Sequence, residues 1–108
     1  MKKAVSYVRC SSELQKESID KQLNNIKELC ERHNILLVDQ YEDISSSLDE
    51  RPAFNQLMED STAGRFDYVF VDTFSRLSRS LEEYKSYKKA LNENGVKLIV
   101  CDKVSDTL

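Results

Sequence analysis

The sequence predicts a three-layer, doubly wound α/β domain built on a mainly parallel four-stranded sheet. Three observations lead there. Four short runs rich in Val, Ile, Leu and Tyr, at 4–9, 35–38, 68–71 and 96–100, have strand character. Between them lie three stretches with apolar residues at helical spacing. The resulting order, β-α-β-α-β-α-β, requires parallel strands joined by right-handed crossovers, with helices covering the sheet.

Each element has its own warrant. Residues 4–9 alternate and are rich in Val and Tyr, so they read as the first strand. Ser18 suits a helix N-cap, with Asp20 in the first turn, and Ile19, Leu23, Ile26 and Cys30 mark an amphipathic helix reaching about His33. Residues 35–38 form the second strand, and 42–50 read as a polar loop with Ser45, Ser46 and Ser47 in a row. Pro52 fits the first turn of a second helix, whose apolar stripe is Phe54, Leu57 and Met58 and whose end is marked by Gly64. Residues 68–71 are strand three. Ser80 and Glu83 match a capping box that opens a third helix, with Leu81, Tyr84 and Leu91 on one face and Gly95 past its end. Residues 96–100 complete the sheet.

Composition narrows the function. A chain of 108 residues is one domain, and its formal charge of −3 argues against a bulk electrostatic nucleic-acid binder while leaving room for a local arginine patch. Cys10, Cys30 and Cys101 are odd in number and lack a C-x-x-C pair. They read as reduced thiols of a cytoplasmic protein, with Cys30 and Cys101 serving as small buried hydrophobes. No stretch approaches the roughly 20 apolar residues that span a bilayer, so no membrane association is expected.

The chemistry gathers after strands one and three. Arg9 and Ser11 follow the first, and Arg76 and Arg79 follow the third. In a doubly wound sheet these strand ends share the edge where ligands bind. Guanidinium groups suit phosphates through their planar fork and fixed charge, and a serine hydroxyl beside them suits phosphoryl transfer. The competing reading is a solvated surface, with the arginines paired to nearby Glu and Asp. Other templates fail. His33 is the only histidine, there is no Walker-type glycine loop, and a phosphatase loop starting at Cys10 would need an arginine where Lys16 stands. No carboxylate cluster marks a metal site, so neither a metal nor another cofactor is expected.

The run Tyr7-Val8-Arg9-Cys10-Ser11, with Gln15 four residues later, resembles the opening motif of the serine site-specific recombinases: resolvases, invertases and large phage-type integrases. Further matches follow in order: Ser45 with Arg51-Pro52 six residues on, Gly64-x-x-Asp67-Tyr68-Val69, and Arg76-Leu77-Ser78-Arg79-Ser80. Ser18-Ile19-Asp20-x-Gln22 and the helix after it are most similar to the large serine recombinases. The resemblance implies a catalytic domain over 1–108 that cleaves and rejoins DNA through a covalent 5′-phosphoserine intermediate. It implies Ser11 as nucleophile, Arg9, Arg76 and Arg79 on the scissile phosphate with Arg51 alongside, Gln15 and Ser45 as organising hydrogen-bond partners, and Tyr7 in support. DNA is the implied partner, with a homodimer and synaptic tetramer in the full-length protein. The chain is expected to stop before the family's long oligomerisation helix and to lack its DNA-binding domain. Ser75 departs from the pattern, since the family often has aspartate there, and the loops at 10–17 and 43–50 are expected to be mobile. The alternative is a flavodoxin-like or receiver-like module that binds an anion or nucleotide without catalysis. A degenerate, structural copy of the catalytic domain is a third reading.

Overall fold

The computed structural model describes residues 1–12, 15–47 and 50–103. Residues 13–14 and 48–49, inside the two loops expected to be mobile, and the terminal stretch 104–108 lie outside the described residues. The elements run β1 (Lys3–Cys10), α1 (Lys16–Arg32), β2 (Leu36–Ile44), α2 (Pro52–Asp60), β3 (Tyr68–Val71), α3 (Leu81–Glu93) and β4 (Lys97–Val100). The sheet order is β2-β1-β3-β4, and every neighbouring pair is parallel. This is the expected doubly wound arrangement. The chain leaves β1 toward β2 on one side and returns to β3 on the other, so the crevice at the switch point opens above the ends of β1 and β3.

β1 is the axis of the domain. From Ala4 to Cys10 every residue is buried, because helices cover both faces of a central parallel strand. Val5 and Tyr7 point into one core with Phe54 and Leu57 of α2, Leu91 of α3, Val69, Val71, Leu98 and Val100. Ala4, Val8 and Cys10 point into the other, against Ile19, Ile26, Leu29 and Cys30 of α1. The split places α1 on one face and α2 and α3 on the other, giving three layers.

Local signals set several boundaries. Pro52 occupies the first turn of α2, where its missing N–H leaves no bond unmade. Ser80 accepts a hydrogen bond from the Glu83 amide, as the capping pattern predicts. Gly95 takes φ of +77°, a left-handed conformation that ends α3 without a Cβ penalty.

Three expectations are corrected. Ser18 does not cap α1, which begins at Lys16 with Gln15 at the N-cap position. The Ser18 hydroxyl instead accepts from the Arg76 guanidinium and the Gln22 amide. The loop expected from residue 42 starts later, because β2 stays paired with β1 through Cys10 and Ile44. As an edge strand, β2 carries Asp39, Gln40 and Glu42 toward solvent, and such polarity protects an edge from unwanted pairing. Leu81 does not join the apolar face of α3: it is 59% exposed, and Tyr84 and Tyr87 pack there with Leu91.

Candidate active site

The end of β1 delivers Arg9, Cys10 and Ser11 to the crevice. Arg9 is only 9% exposed. Its backbone is clamped by Gln22 of α1, whose Oε1 accepts from the Arg9 amide at 3.1 Å and whose Nε2 donates to the Arg9 carbonyl at 2.8 Å. The guanidinium donates one bond from NH2 to the Ser45 carbonyl, at 2.9 Å. Its Nε is buried without a partner among the described residues. A buried donor of this kind is costly unless something arrives to accept from it, and a phosphate oxygen is a fitting acceptor.

Ser11 is exposed, so its hydroxyl is open to a bound molecule in the crevice. Its amide and its hydroxyl both point to Gln15 Oε1, at 3.2 and 2.5 Å. An amide oxygen orients the hydroxyl but is far too weak a base to take its proton. Cys10 is buried and its Sγ donates to the Ser12 carbonyl at 3.2 Å, so it does not compete for the same space. Ser45 accepts from the Ser47 amide and donates to the Ser47 carbonyl, which folds 45–47 into a tight polar turn beside Arg9.

After β3 the chain makes a single turn at Phe74–Arg76, held down by the buried Leu77. Arg76 reaches from that turn to Ser18 Oγ at 2.7 Å, in the first turn of α1. Arg79 lies exposed three residues further on the same loop. Ser75 is exposed and pairs with Thr73 through their hydroxyls, at 3.2 Å. Asp72 accepts from Asn25 of α1 at 2.9 Å. His33 ends α1, about 25 Å along the helix from Gln15, and plays no part in the crevice.

Two residues expected at the site sit behind it. Tyr7 is fully buried and donates its hydroxyl to Asp43 Oδ2 at 2.9 Å. Burial pushes its phenol well above the ordinary tyrosine range, and the Asp43 carboxylate adds to the effect. Arg51 is 5% exposed and turned inward: it donates to the Leu77 carbonyl and to the Tyr87 hydroxyl, and its guanidinium lies 4.4 Å from the Phe54 ring centroid. From there it supports the Arg76–Arg79 loop from beneath.

Sequence reasoning assigned no role to Asp43 or Gln22, and gave Ser18 only that of a helix cap. Asp43 is 3% exposed and accepts from Tyr7, from the Ala53 amide at 2.9 Å and from the Phe54 amide at 3.0 Å. It therefore caps α2 from a neighbouring strand and ties that helix to β1. Its signal was the two-residue step from Tyr41 along the same strand face. The signal for Gln22 was a polar residue on a helical face shared with Ile19, Ile26 and Leu29. Among the described residues, no group of three or more His, Cys, Asp or Glu is placed to hold a metal ion, and no helix is long and apolar enough to cross a membrane.

The crevice thus joins Arg9, Ser11, Gln15, Ser45 and Arg76 along one sheet edge, a set able to hold a phosphodiester beside an exposed hydroxyl. Comparison with known proteins gives a family match to "Resolvase, N terminal domain" over residues 4–108. No curated protein matches the chain. Among solved structures, it is similar to the N-terminal catalytic domain of TP901-1 integrase, with 31% identity, a TM-score of 0.85, and coverage of 94% of this chain and 79% of that one. It is also similar to the C-terminal catalytic domain of ISC1926 TnpA, an IS607-like serine recombinase, with 28% identity, a TM-score of 0.81, and coverage of 95% and 71%. A resolvase family site-specific recombinase from Streptococcus pneumoniae matches at 27% identity with a TM-score of 0.80, covering 94% and 73%.

Proposed function

The chain belongs to the resolvase N-terminal domain family and is the catalytic domain of a serine site-specific recombinase, and we propose that it breaks and rejoins DNA through Ser11. The observation that carries the assignment of Ser11 is its exposed hydroxyl, oriented by Gln15, at the end of the strand that also buries Arg9. In the forward step Ser11 Oγ bonds to the scissile phosphorus and the bond from phosphorus to O3′ breaks. The serine proton is lost and the leaving 3′ oxygen gains one, so the step balances without a net proton. One phosphodiester replaces another, and the bond energy kept in the phosphoserine linkage lets a 3′-hydroxyl reverse the attack and reseal DNA.

Arg9, Arg76 and Arg79 are assigned to the phosphate, where charge builds on the non-bridging oxygens in the transition state. Preorganised donors aimed at developing charge are worth about 3–4 kcal/mol each in comparable sites. The buried Nε of Arg9, without a partner among the described residues, supports its share of this role. Ser45 keeps the adjoining turn closed around Arg9, while Tyr7 and Arg51 hold β1, α2 and the Arg76–Arg79 loop in register. DNA is the substrate, and we assign site choice to a separate DNA-binding domain and strand exchange to a dimer that pairs into a tetramer.

The test uses the full-length protein carrying this domain, supercoiled DNA with its cognate site, and a denaturing stop. A covalent protein–DNA adduct is expected that vanishes in Ser11→Ala and survives in Ser12→Ala and Cys10→Ala. An adduct that persists in Ser11→Ala would remove Ser11 from the chemistry.

A further inference from the structure

Three side chains on one edge of α1 each hold a different part of the crevice. Gln15, at the N-cap position, holds the Ser11 hydroxyl. Ser18, three residues on, holds Arg76 at 2.7 Å. Gln22, four residues further, holds the Arg9 backbone through both its amide and its carbonyl. Residues spaced by three and four are neighbours on a helix surface, so the three holds are successive rungs of one ladder. Two of the rungs are also joined, because Gln22 Nε2 donates to Ser18 Oγ at 3.2 Å as well as to the Arg9 carbonyl.

We infer that Ser18 is a positioning residue for Arg76, holding that guanidinium from a point on α1 three residues past Gln15, the partner of the Ser11 hydroxyl. The inference rests on the recombinase reading above and deepens it. Ser18 Oγ accepts from two donors at once, one on the loop after β3 and one on α1. A serine placed only to start the helix would use its oxygen on backbone amides of its own first turn. Here the oxygen reaches a residue 58 positions away in sequence. The first turn of a long helix thereby sets the position of an arginine at the end of the single turn Phe74–Arg76. Without the hydroxyl, Arg76 regains the rotamer freedom of a long side chain and reaches the phosphate in fewer encounters.

The experiment measures single-turnover adduct formation by the full-length protein on a duplex carrying its site, with DNA affinity measured separately. Ser18→Ala is expected to slow adduct formation about tenfold, equivalent to about 1.4 kcal/mol of barrier, with affinity and melting temperature unchanged. Ser18→Thr, which keeps the hydroxyl, is expected to restore the rate. In an Arg76→Ala background, Ser18→Ala is expected to cause no further loss, since residues acting as one unit are not additive. A wild-type rate in Ser18→Ala, failure of Ser18→Thr to restore it, or a full additional loss on top of Arg76→Ala would each overturn the inference. Ser11→Ala run in parallel separates the two readings. A Ser11-dependent adduct with a neutral Ser18→Ala removes only the role of Ser18, whereas an adduct independent of Ser11 removes both.

Discussion

Replacing Asp43 by asparagine tests whether one buried carboxylate ties the sheet to α2. Oδ2 accepts from the Tyr7 hydroxyl and the Phe54 amide, and Oδ1 accepts from the Ala53 amide. Asparagine offers a single acceptor oxygen. Whichever way its amide is turned, an NH2 group faces a backbone N–H and at least one helix-end donor loses its partner. A hydrogen bond to a charged group contributes about 1.5–3 kcal/mol, and leaving a buried donor unsatisfied adds to the loss. Asp43→Asn should therefore cost about 2–4 kcal/mol, a large part of the roughly 5–15 kcal/mol that stabilises a typical domain. With a urea slope of about 1–3 kcal/mol per molar, the midpoint should fall by about 1–2 M. Tyr7→Phe removes only the phenol and leaves both helix amides bonded, so its loss should be smaller.

The same pair gives a pH signature. Tyr7 has its folded pKa raised by burial, and next by the Asp43 charge, above the ordinary value of about 10. Its contribution is fully present below that unfolded value and is lost as pH rises beyond it, because the unfolded chain releases the phenol proton first. Above about pH 10, stability should fall by up to about 1.4 kcal/mol per pH unit on account of this group, and Tyr7→Phe should flatten that limb. Urea titrations of wild type, Tyr7→Phe, Asp43→Asn and the double variant, repeated between neutral and alkaline pH, would measure both effects. An unchanged midpoint in Asp43→Asn, or the same alkaline slope with and without the Tyr7 hydroxyl, would refute the reasoning.

Two further substitutions separate support from chemistry. Arg51→Lys keeps the charge but loses the planar fork that bonds Leu77 and Tyr87 and stacks on Phe54, so a loss of about 2–4 kcal/mol is expected by thermal unfolding in the absence of DNA. An undiminished melting temperature would return Arg51 to a purely phosphate-binding role. Ser6 is fully buried on β1 with its hydroxyl unpartnered among the described residues, so Ser6→Ala should leave stability unchanged or raise it by about 1 kcal/mol, and a clear loss in urea unfolding would contradict this.

What the sequence made legible follows the range over which each signal acts. The Ser80–Glu83 cap, Pro52 in the first turn of α2 and the left-handed Gly95 were readable because each depends on a few neighbouring residues. The end of β2 was not, because Glu42 looks like loop and becomes strand only through pairing with Val8. Ser18 has every local property of a cap, yet Arg76 claims its oxygen from across the fold.

The site divides in the same way. Ser11, Arg9 and Arg76 stand out by residue type and by their place after strands one and three, although spacing alone left a solvated surface open as the competing reading. The groups that hold them are ordinary polar residues whose roles emerge only when helix and sheet meet. Arg51 shows how easily the two classes are confused, because no local feature distinguishes an arginine that faces a phosphate from one that faces an aromatic core. Gln22 shows the way to tell them apart. A side chain with both a donor and an acceptor, placed on the apolar stripe of a helix, must find backbone to bond or destabilise the fold. At Gln22 that backbone is Arg9, so a polar residue at a buried position points toward the strand end where the chemistry is proposed.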